Sequence, residues 1–429
     1  MSLERLFTRE FENAIRRALR EIKTRHETLA EVRLKEDIKI IKDKLLTSFQ
    51  PFPKDVVFDE DFLVGAIDGS GVSPLLRYDD VMIHLVTAYL SVHTTGTKIR
   101  SPMKKIEVKD YPPIPDGGRL IETFWFSMDE GQMWSYLEKF INRTYMIEDL
   151  DTLLYPYFRD VSSRKVENIT DVIELLGPKH RNITGIKDLV ILPPATSIRV
   201  IHDLIREITE LSLAKRVLKS DLPIKYLLLD TTMTLLISKG DIHPNLITDY
   251  MLRDVVYEAR NKGVIVVAVA KSHTIPCTSA IAKLAEAEFG KNAHWFCRLP
   301  GEEDPEGKLK ILEGRRYIPP RGAVTYIFRF SSAMPVFRLD LDRKWWEKNI
   351  YSDNLNEMKE NEIILFKELD FMSHDARWYG YPAPLSYAHE GCTIKDVEGM
   401  LLAEQAITIA KEEGFEEEKL IAPRKLIGI

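Results

Sequence analysis

Two short, largely apolar segments that are each followed by a charged residue constrain the fold of this chain more than any other feature. Ile224–Leu229 is followed directly by Asp230, and Val264–Ala270 is followed directly by Lys271. An amphipathic segment that favours a helix precedes each of them. Apolar runs between helices are typical of strands that are buried on both faces of a sheet. The pattern therefore predicts an α/β fold with a central sheet flanked by helices.

Residues 1–55 are predicted to form a helical arm that Phe52–Pro53 terminates, because proline interrupts a helix. Apolar side chains recur in it at helical spacing, beginning with Phe11, Ile15, Leu19 and Ile22. Such a helix either packs on the body of the protein or protrudes and binds a partner or a second copy, and the sequence leaves both alternatives open. Residues 56–429 are predicted to form the main domain, with an elaboration at about 101–195.

The composition excludes several classes of protein. With 45% hydrophobic and 29% charged residues, the 429-residue chain is neither collagen-like nor wholly disordered. No apolar run reaches the ~18 residues of a membrane span, and the first residues lack the pattern of a signal peptide. Three cysteines without C-x-x-C spacing are typical of a reducing compartment. We therefore expect a cytoplasmic protein without membrane association. Its net charge of -6 means that any nucleic acid would need a local basic groove.

Asp68 resembles Asp230 because it also follows an apolar, strand-like segment, 62–67. The sequence Asp68-Gly69-Ser70-Gly71 predicts a tight turn at this point. A buried carboxylate is costly unless it accepts hydrogen bonds or holds a cation. One such aspartate is most simply a turn or capping residue, but two at parallel strand ends point to a shared site for Mg²⁺ or Mn²⁺. Phosphodiester hydrolysis with two ions uses such sites, and it requires at least one further carboxylate.

Lys271 and His389 are further candidates. A lysine at a strand end is either a surface residue or a cation that holds a phosphate, and a lone histidine after a proline-rich segment is usually structural. The sequence contains no G-x-x-x-x-G-K-[ST] motif and no G-x-G-x-x-G motif after a strand, which excludes a P-loop and a dinucleotide-binding turn. The carboxylates are therefore the strongest indication of chemistry in this chain.

Four blocks resemble, in the same order, the NurA nuclease family of DNA-processing nucleases. They are Val64-Gly65-Ala66-Ile67-Asp68-Gly69-Ser70, Glu210 followed by Leu227-Leu228-Leu229-Asp230, Val267-Ala268-Val269-Ala270-Lys271-Ser272, and Gly380-Tyr381-Pro382-Ala383-Pro384-Leu385-Ser386-Tyr387-Ala388-His389. Together they span about residues 60–395. Thr231-Thr232 stand where the family usually has Gly-Ser, so the turn after Asp230 is expected to differ.

The resemblance implies an RNase H-like fold with a central mixed sheet. It also implies a metal-dependent DNA nuclease, acting as an exonuclease and single-strand endonuclease in DNA end processing, repair or defence. Asp68, Glu210 and Asp230 would hold two Mn²⁺ or Mg²⁺ ions. Lys271 would neutralise charge on the phosphate, and His389 would order the attacking water or assist the leaving group. The family further implies a homodimer that works beside a HerA-like hexameric ATPase.

The assignment of Glu210 depends on the resemblance alone. On a helical wheel, Glu210 lies nearly opposite the apolar stripe of its helix, where a solvated side chain is expected. Leu213 and Val217 lie near its side, which leaves open that this face is covered. Glu207 borders that stripe and is the alternative ligand. The family places an aromatic hydroxyl near the site, and Tyr326 is the nearest candidate. The residues expected to contact DNA are Lys271, Arg315, Arg316 and Arg321.

Two other functions remain as alternatives. An actin-like ATPase has a related fold whose first strand also ends in Asp-Gly, but it would need a second glycine-rich phosphate loop. Asp230-Thr231-Thr232-Met233 is a poor candidate for that loop. A catalytically inactive scaffold that loads an ATPase on DNA is the other alternative, and the intact set of acidic residues speaks against it.

Overall fold

The computed structural model describes residues 11–23, 49–51, 61–95, 103–128, 133–233, 246–273, 275, 278–299, 301 and 322–422. The strands are β1 (Phe49–Pro51), β2 (Leu63–Tyr78), β3 (Val81–Thr94), β4 (Lys104–Ile106), β5 (Arg119–Ser127), β6 (Ile224–Leu229), β7 (Ile265–Ala270), β8 (Trp295–Arg298), β9 (Ala323–Arg329), β10 (Phe337–Asp342) and β11 (Leu420–Ile421). The helices are α1 (11–23), α2 (Met133–Tyr145), α3 (Leu154–Ser162), α4 (Ile169–Leu176), α5 (Ile198–Lys219), α6 (Ile247–Lys262), α7 (Thr278–Phe289), α8 (Arg343–Asn349), α9 (Leu355–Met372), α10 (Ala383–Cys392) and α11 (Asp396–Glu412).

The strands form one mixed sheet in the order β1-β8-β9-β10-β7-β6-β2-β3-β4, with β5 also paired to β3 and β11 to β2. β2, β3 and β5 are antiparallel neighbours. β6 then pairs parallel to β2, and β7 pairs parallel to β6. Three antiparallel strands followed by two parallel strands on the other side of the first strand make up the strand order of an RNase H-like fold. The structure thus confirms an RNase H-like mixed sheet flanked by helices.

Both faces of the sheet are covered, as its apolar strands predict. Ile67 and Leu229 belong to a core that includes side chains from α2 to α6. Ala66 and Leu228, one position earlier on the same strands, belong to a second core with α8, α9 and α10. This alternation follows from the two-residue period of a strand. It places α5 on one face of the sheet and α10 on the other.

The tight turn expected at 68–71 is wrong. β2 continues through Asp68 and remains paired with β3 as far as Tyr78. A Cβ atom on Gly69 would lie 2.5 Å from the Oε1 atom of Glu210 on α5. The glycine therefore serves the close approach of a helix to the strand and does not reverse the chain.

Part of the elaboration expected at 101–195 is built into the main sheet. β4 and β5 both pair with β3. Side chains of α2, α3 and α4 pack in the same core as α5 and α6. The described residues of this segment therefore pair and pack with the main sheet, and the domain division itself stays a prediction.

The N-terminal arm is a helix over 11–23, and its side chains are exposed. Apart from β1, the rest of the arm predicted at 1–55 lies outside the described residues, so its docking role stays a prediction. Among the described helices, none is long and apolar enough to cross a membrane.

Candidate active site

Asp68 and Asp230 lie side by side in the middle of the sheet. The parallel strands β2 and β6 pair Ile67 with Leu229, so the next residue on each strand is one of these aspartates. Asp68 is buried, and its Oδ1 accepts a hydrogen bond of 2.8 Å from the N–H of Gly69. The side chain of Asp230 is 21% exposed. The structure therefore brings the two predicted aspartates together at the end of β6.

Glu210 reaches the same place from α5. Its side chain is only 12% exposed and lies against Gly69, the residue after Asp68. The expectation of a solvated Glu210 is wrong, because the long strand β2 covers this side of α5. Glu207, the alternative, lies one turn earlier beside Thr248 of α6. Of the two glutamates, Glu210 is the one that contacts the strand carrying Asp68.

The surroundings of Glu210 and Asp230 disfavour the charged forms of both side chains. Burial raises the pKa of Glu210 well above its usual value, and the charges of Asp68 and Asp230 add to this effect. Burial also raises the pKa of Asp230, although Lys271 opposes the shift. Arg206 is the cation beside Glu210, but its Nη1 lies 3.8 Å from Oε1. Within the described residues, this buried Oε1 accepts no hydrogen bond.

These residues fit a divalent cation. Carboxylate oxygens are the ligands that Mg²⁺ and Mn²⁺ prefer. A buried carboxylate oxygen without a donor is costly, and a bound cation would remove that cost. Asp68, Glu210 and Asp230 are therefore the residues that would hold metal, and the unpaired Oε1 of Glu210 is the structural feature that favours it. Their ligand atoms do not all lie within 4.8 Å of one another, so these side chains would have to move closer together to share one ion.

His389 approaches Asp68 from the opposite face of the sheet. Its Nδ1 lies 2.7 Å from Oδ2 of Asp68, while its side chain is 58% exposed. His389 lies on α10, which begins at Ala383 after Pro382, so the proline-rich segment starts a helix. One ring nitrogen is thus held by a buried carboxylate, and the imidazole remains accessible from solvent.

Cys392 follows one turn after His389 on α10. Ligand atoms of Asp68, His389 and Cys392 all lie within 4.8 Å of one another, the one such group among the described residues. Burial and the nearby carboxylates Asp68 and Glu210 raise the pKa of Cys392. The raised pKa favours the neutral thiol of Cys392, and the three residues offer one oxygen, one nitrogen and one sulfur ligand atom.

Lys271 is held at the end of β7 between a carboxylate and an aromatic ring. Its Nζ lies 3.0 Å from Oδ2 of Asp230 and 4.7 Å from the ring centroid of Tyr381. The Tyr381 hydroxyl is buried and has no hydrogen-bond partner among the described residues. Burial raises its pKa well above the usual value, and the charges of Asp230 and Asp68 raise it further. Tyr381 therefore keeps its proton beside the carboxylates.

The aromatic hydroxyl near the site is Tyr381, and the expectation of Tyr326 is wrong. The Tyr326 hydroxyl lies in the second core, where it donates to Glu362 at 2.7 Å and accepts from Trp346 Nε1 at 2.6 Å. Tyr381 belongs to the fourth sequence block, eight residues before His389. That block was the signal that could have identified it.

The expected DNA contacts are placed only in part. Lys271 lies in the site, whereas Arg315, Arg316 and Arg321 lie outside the described residues. Their role in a DNA groove therefore stays a prediction.

Comparisons with known proteins identify similar solved structures. No family model matches the chain, and no curated protein matches it. The NurA nuclease from Sulfolobus solfataricus is 13% identical, with 95% of this chain and 98% of that chain covered and a TM-score of 0.45. A NurA structure bound to dAMP and manganese is 14% identical, with 98% and 99% covered and a TM-score of 0.35. The fold assignment rests on the strand order, and the site rests on its own geometry. Over nearly its whole length, the chain is similar to structures of NurA nucleases.

Proposed function

We propose that this chain is a metal-dependent DNA nuclease of the NurA type, which hydrolyses phosphodiester bonds. The observation that supports the proposal most directly is the placement of three carboxylates. Asp68 and Asp230 follow paired positions of neighbouring parallel strands, and Glu210 of α5 lies against Gly69. A lysine and a histidine adjoin this group. Carboxylates, a cation and an imidazole are the side chains that phosphodiester hydrolysis requires.

Asp68, Glu210 and Asp230 would hold two Mn²⁺ or Mg²⁺ ions. When bound, such ions stabilise developing negative charge and lower the pKa of water. Lys271 provides a fixed positive charge for the phosphate, because Asp230 holds its ammonium group at the edge of the site. The Tyr381 hydroxyl beside it is a donor that stays protonated. Their electrostatic effect would be greatest in the charged transition state.

His389 supplies the proton-transfer group. Oδ2 of Asp68 accepts a hydrogen bond from the Nδ1–H group of His389, and this bond fixes the orientation of the imidazole. The other ring nitrogen can order the attacking water or protonate the leaving oxygen. Because the side chain is largely exposed, substrate can reach it without displacing protein.

The finer assignments come from the sequence blocks. They are exonuclease and single-strand endonuclease activity, a homodimer, partnership with a HerA-like hexameric ATPase, and a role in DNA end processing, repair or defence. The cytoplasmic location predicted from the cysteines belongs with them. Each is part of the proposal and follows the resemblance to the family.

The proposal is tested with Asp68→Ala and Asp230→Ala, assayed on single-stranded and plasmid DNA with Mn²⁺. Each variant should lose cleavage and Mn²⁺ binding, measured by calorimetry, while circular dichroism shows an intact fold. Glu174→Ala, which removes an exposed carboxylate on α4, is the matched control and should be fully active. More than a few per cent of activity in either aspartate variant would overturn the metal assignment.

The same assay includes ATP, because the two alternatives make different predictions. ATP hydrolysis without DNA cleavage would replace the nuclease with the actin-like ATPase. Absence of both activities in the metal-loaded wild-type protein would favour the inactive scaffold.

A further inference from the structure

An aromatic side chain adjoins the catalytic carboxylates on the side of the sheet that α10 covers. Tyr89 on β3 is the register partner of Asp68 on β2, so the two side chains leave the sheet on the same face. The ring of Tyr89 packs against Gly391, where a Cβ atom would collide with it. Tyr89 thus lies between the proposed metal ligands and the last turn of α10.

Two exposed cations flank this ring. Lys105 Nζ lies 5.1 Å from the centroid of Tyr89, and the Arg119 guanidinium carbon lies 5.6 Å from it. Arg119 also donates a hydrogen bond to the carbonyl of Gly391. Among the described residues, no carboxylate forms an ion pair with Lys105 or Arg119. Their charges are therefore available to an anion.

Two more aromatic rings continue the surface away from Asp68. Lys105 Nζ lies 6.0 Å from the centroid of Tyr387, and the Arg377 guanidinium carbon lies 4.7 Å from the same centroid. Arg377 is also 4.2 Å from the ring centroid of Trp378, which contacts Tyr387 edge to face at 5.1 Å. Tyr89, Tyr387, Trp378, Lys105, Arg119 and Arg377 are called the aromatic track below.

Packing explains only part of the aromatic track. Tyr387 lies against the buried His93, which accounts for one face of that ring. An exposed cation over an aromatic ring contributes only about 0.5–1 kcal/mol, so the stability of the fold does not require three cations here. The three cations nevertheless lie beside the acidic site of a chain whose net charge is -6. Arg377 is the member with a carboxylate partner, Asp375, at 3.2 Å.

Alternating rings and cations match the chemistry of an unpaired nucleic-acid strand. Unstacked bases bind to aromatic faces, and the phosphates between them bind to lysine and arginine. Bases inside a duplex are stacked on each other, and their faces are inaccessible to such rings. The track therefore favours a single strand over a duplex.

We propose that the aromatic track binds single-stranded DNA and guides it toward Asp68, so that the nuclease selects unpaired strands. The inference rests on the proposed function, which supplies DNA as the substrate. Tyr89 would contact the nucleotide next to the scissile phosphate, and Tyr387 and Trp378 would stack on bases further along. Lys105, Arg119 and Arg377 would contact the phosphates between them.

The test measures binding without cleavage. Fluorescence anisotropy with a labelled oligothymidine and with a duplex of equal length, in EDTA, gives both affinities. Trp378→Ala should weaken oligothymidine binding about 5- to 150-fold, the range for loss of one stacked base, with little change for the duplex. Trp378→Phe, which keeps an aromatic face, should restore most of the affinity. Lys105→Ala should reduce the salt dependence of single-strand binding by about 0.7 in the logarithmic slope.

Matched controls separate the track from general surface effects. Trp125→Ala removes an exposed tryptophan on β5, whereas Trp378 is half-buried, and Lys165→Ala removes another exposed lysine. Both should bind oligothymidine as the wild-type protein does. Unchanged oligothymidine binding by Trp378→Ala and Lys105→Ala would overturn the track while leaving the nuclease proposal intact. Wild-type protein that neither binds nor cuts any DNA would overturn both.

Discussion

Gly69→Ala provides a selective perturbation of the site, because it changes no carboxylate. A Cβ atom at this position would lie 2.5 Å from Oε1 and 2.7 Å from Cγ of Glu210, whereas ordinary contacts begin at 3.4 Å. The glutamate oxygen must therefore move by 3.4 − 2.5, or about 0.9 Å. A misplacement of about 1 Å can slow catalysis about 100-fold. We expect a loss of that size in DNA cleavage.

The fold should survive this substitution. Gly69 does not have a positive φ, so alanine introduces no backbone strain there. The atoms that must move belong to a flexible side chain. Mn²⁺ affinity, measured by calorimetry, should fall about 10- to 100-fold, as it does when groups that orient metal ligands are lost. The unfolding transition of the metal-free protein should change little.

Two further variants test the prediction for Gly69→Ala. Gly65→Ala on the same strand would meet Leu90 Cδ1 at 3.3 Å and should leave cleavage unchanged. Glu210→Ala should abolish the effect of Gly69→Ala, because the two changes act through one side chain and are not additive. Wild-type Mn²⁺ affinity and rate in Gly69→Ala would show that Glu210 does not need its observed position.

Lys271→Ala should slow cleavage about 30- to 1000-fold with Mn²⁺ affinity largely kept, by analogy with the loss of one preorganised donor; equal losses of both would contradict this role. Tyr381→Phe should slow cleavage more than Tyr326→Phe, since only Tyr381 contacts Lys271, and the reverse ranking would refute the assignment. Because burial raises the pKa of Glu210, urea unfolding in EDTA should show stability falling as pH rises from about 4.5 through the raised folded value. Glu210→Gln should remove that decline, and an equal decline in both proteins would contradict it. A chain beginning at Asp55 should cut DNA alone but lose stimulation by a HerA-like ATPase, whereas failure to fold would favour packing of the arm on the body.

The parts of the site that depend on local pattern could be predicted from the sequence. Asp230 and Lys271 each follow an apolar strand, and parallel neighbouring strands end at the same edge of a sheet. The end of α6 is equally local, since Gly263 adopts the left-handed conformation that glycine favours at a helix C-cap. Residue type and order were sufficient for these features.

The parts of the site that depend on contacts between distant segments of the chain could not be predicted from the sequence. A helical wheel assumes one buried stripe, but α5 is covered along a second side by β2, and this buries Glu210. Gly69 was interpreted as a turn residue because sequence alone cannot distinguish a glycine that bends the chain from one that admits a neighbouring helix. Tyr326 and Tyr381 both belong to the second core, and only packing determines that the Tyr381 ring lies beside Lys271 whereas the Tyr326 hydroxyl donates to Glu362.

Two buried glutamates of this protein show how a structural carboxylate differs from one that is positioned for a ligand. Oε1 of Glu362 accepts hydrogen bonds from the Tyr326 hydroxyl at 2.7 Å and from Arg298 Nε at 3.0 Å. Oε1 of Glu210 is buried as well, yet its nearest cation, Arg206, lies at 3.8 Å. Leaving a buried acceptor without a donor costs about 1–3 kcal/mol, and the neighbouring aspartates increase the cost of the charge. A fold that needed Glu210 only for packing would be more stable with a neutral residue there. The unpaired Oε1 of Glu210 therefore supports the proposal that the site binds a cation.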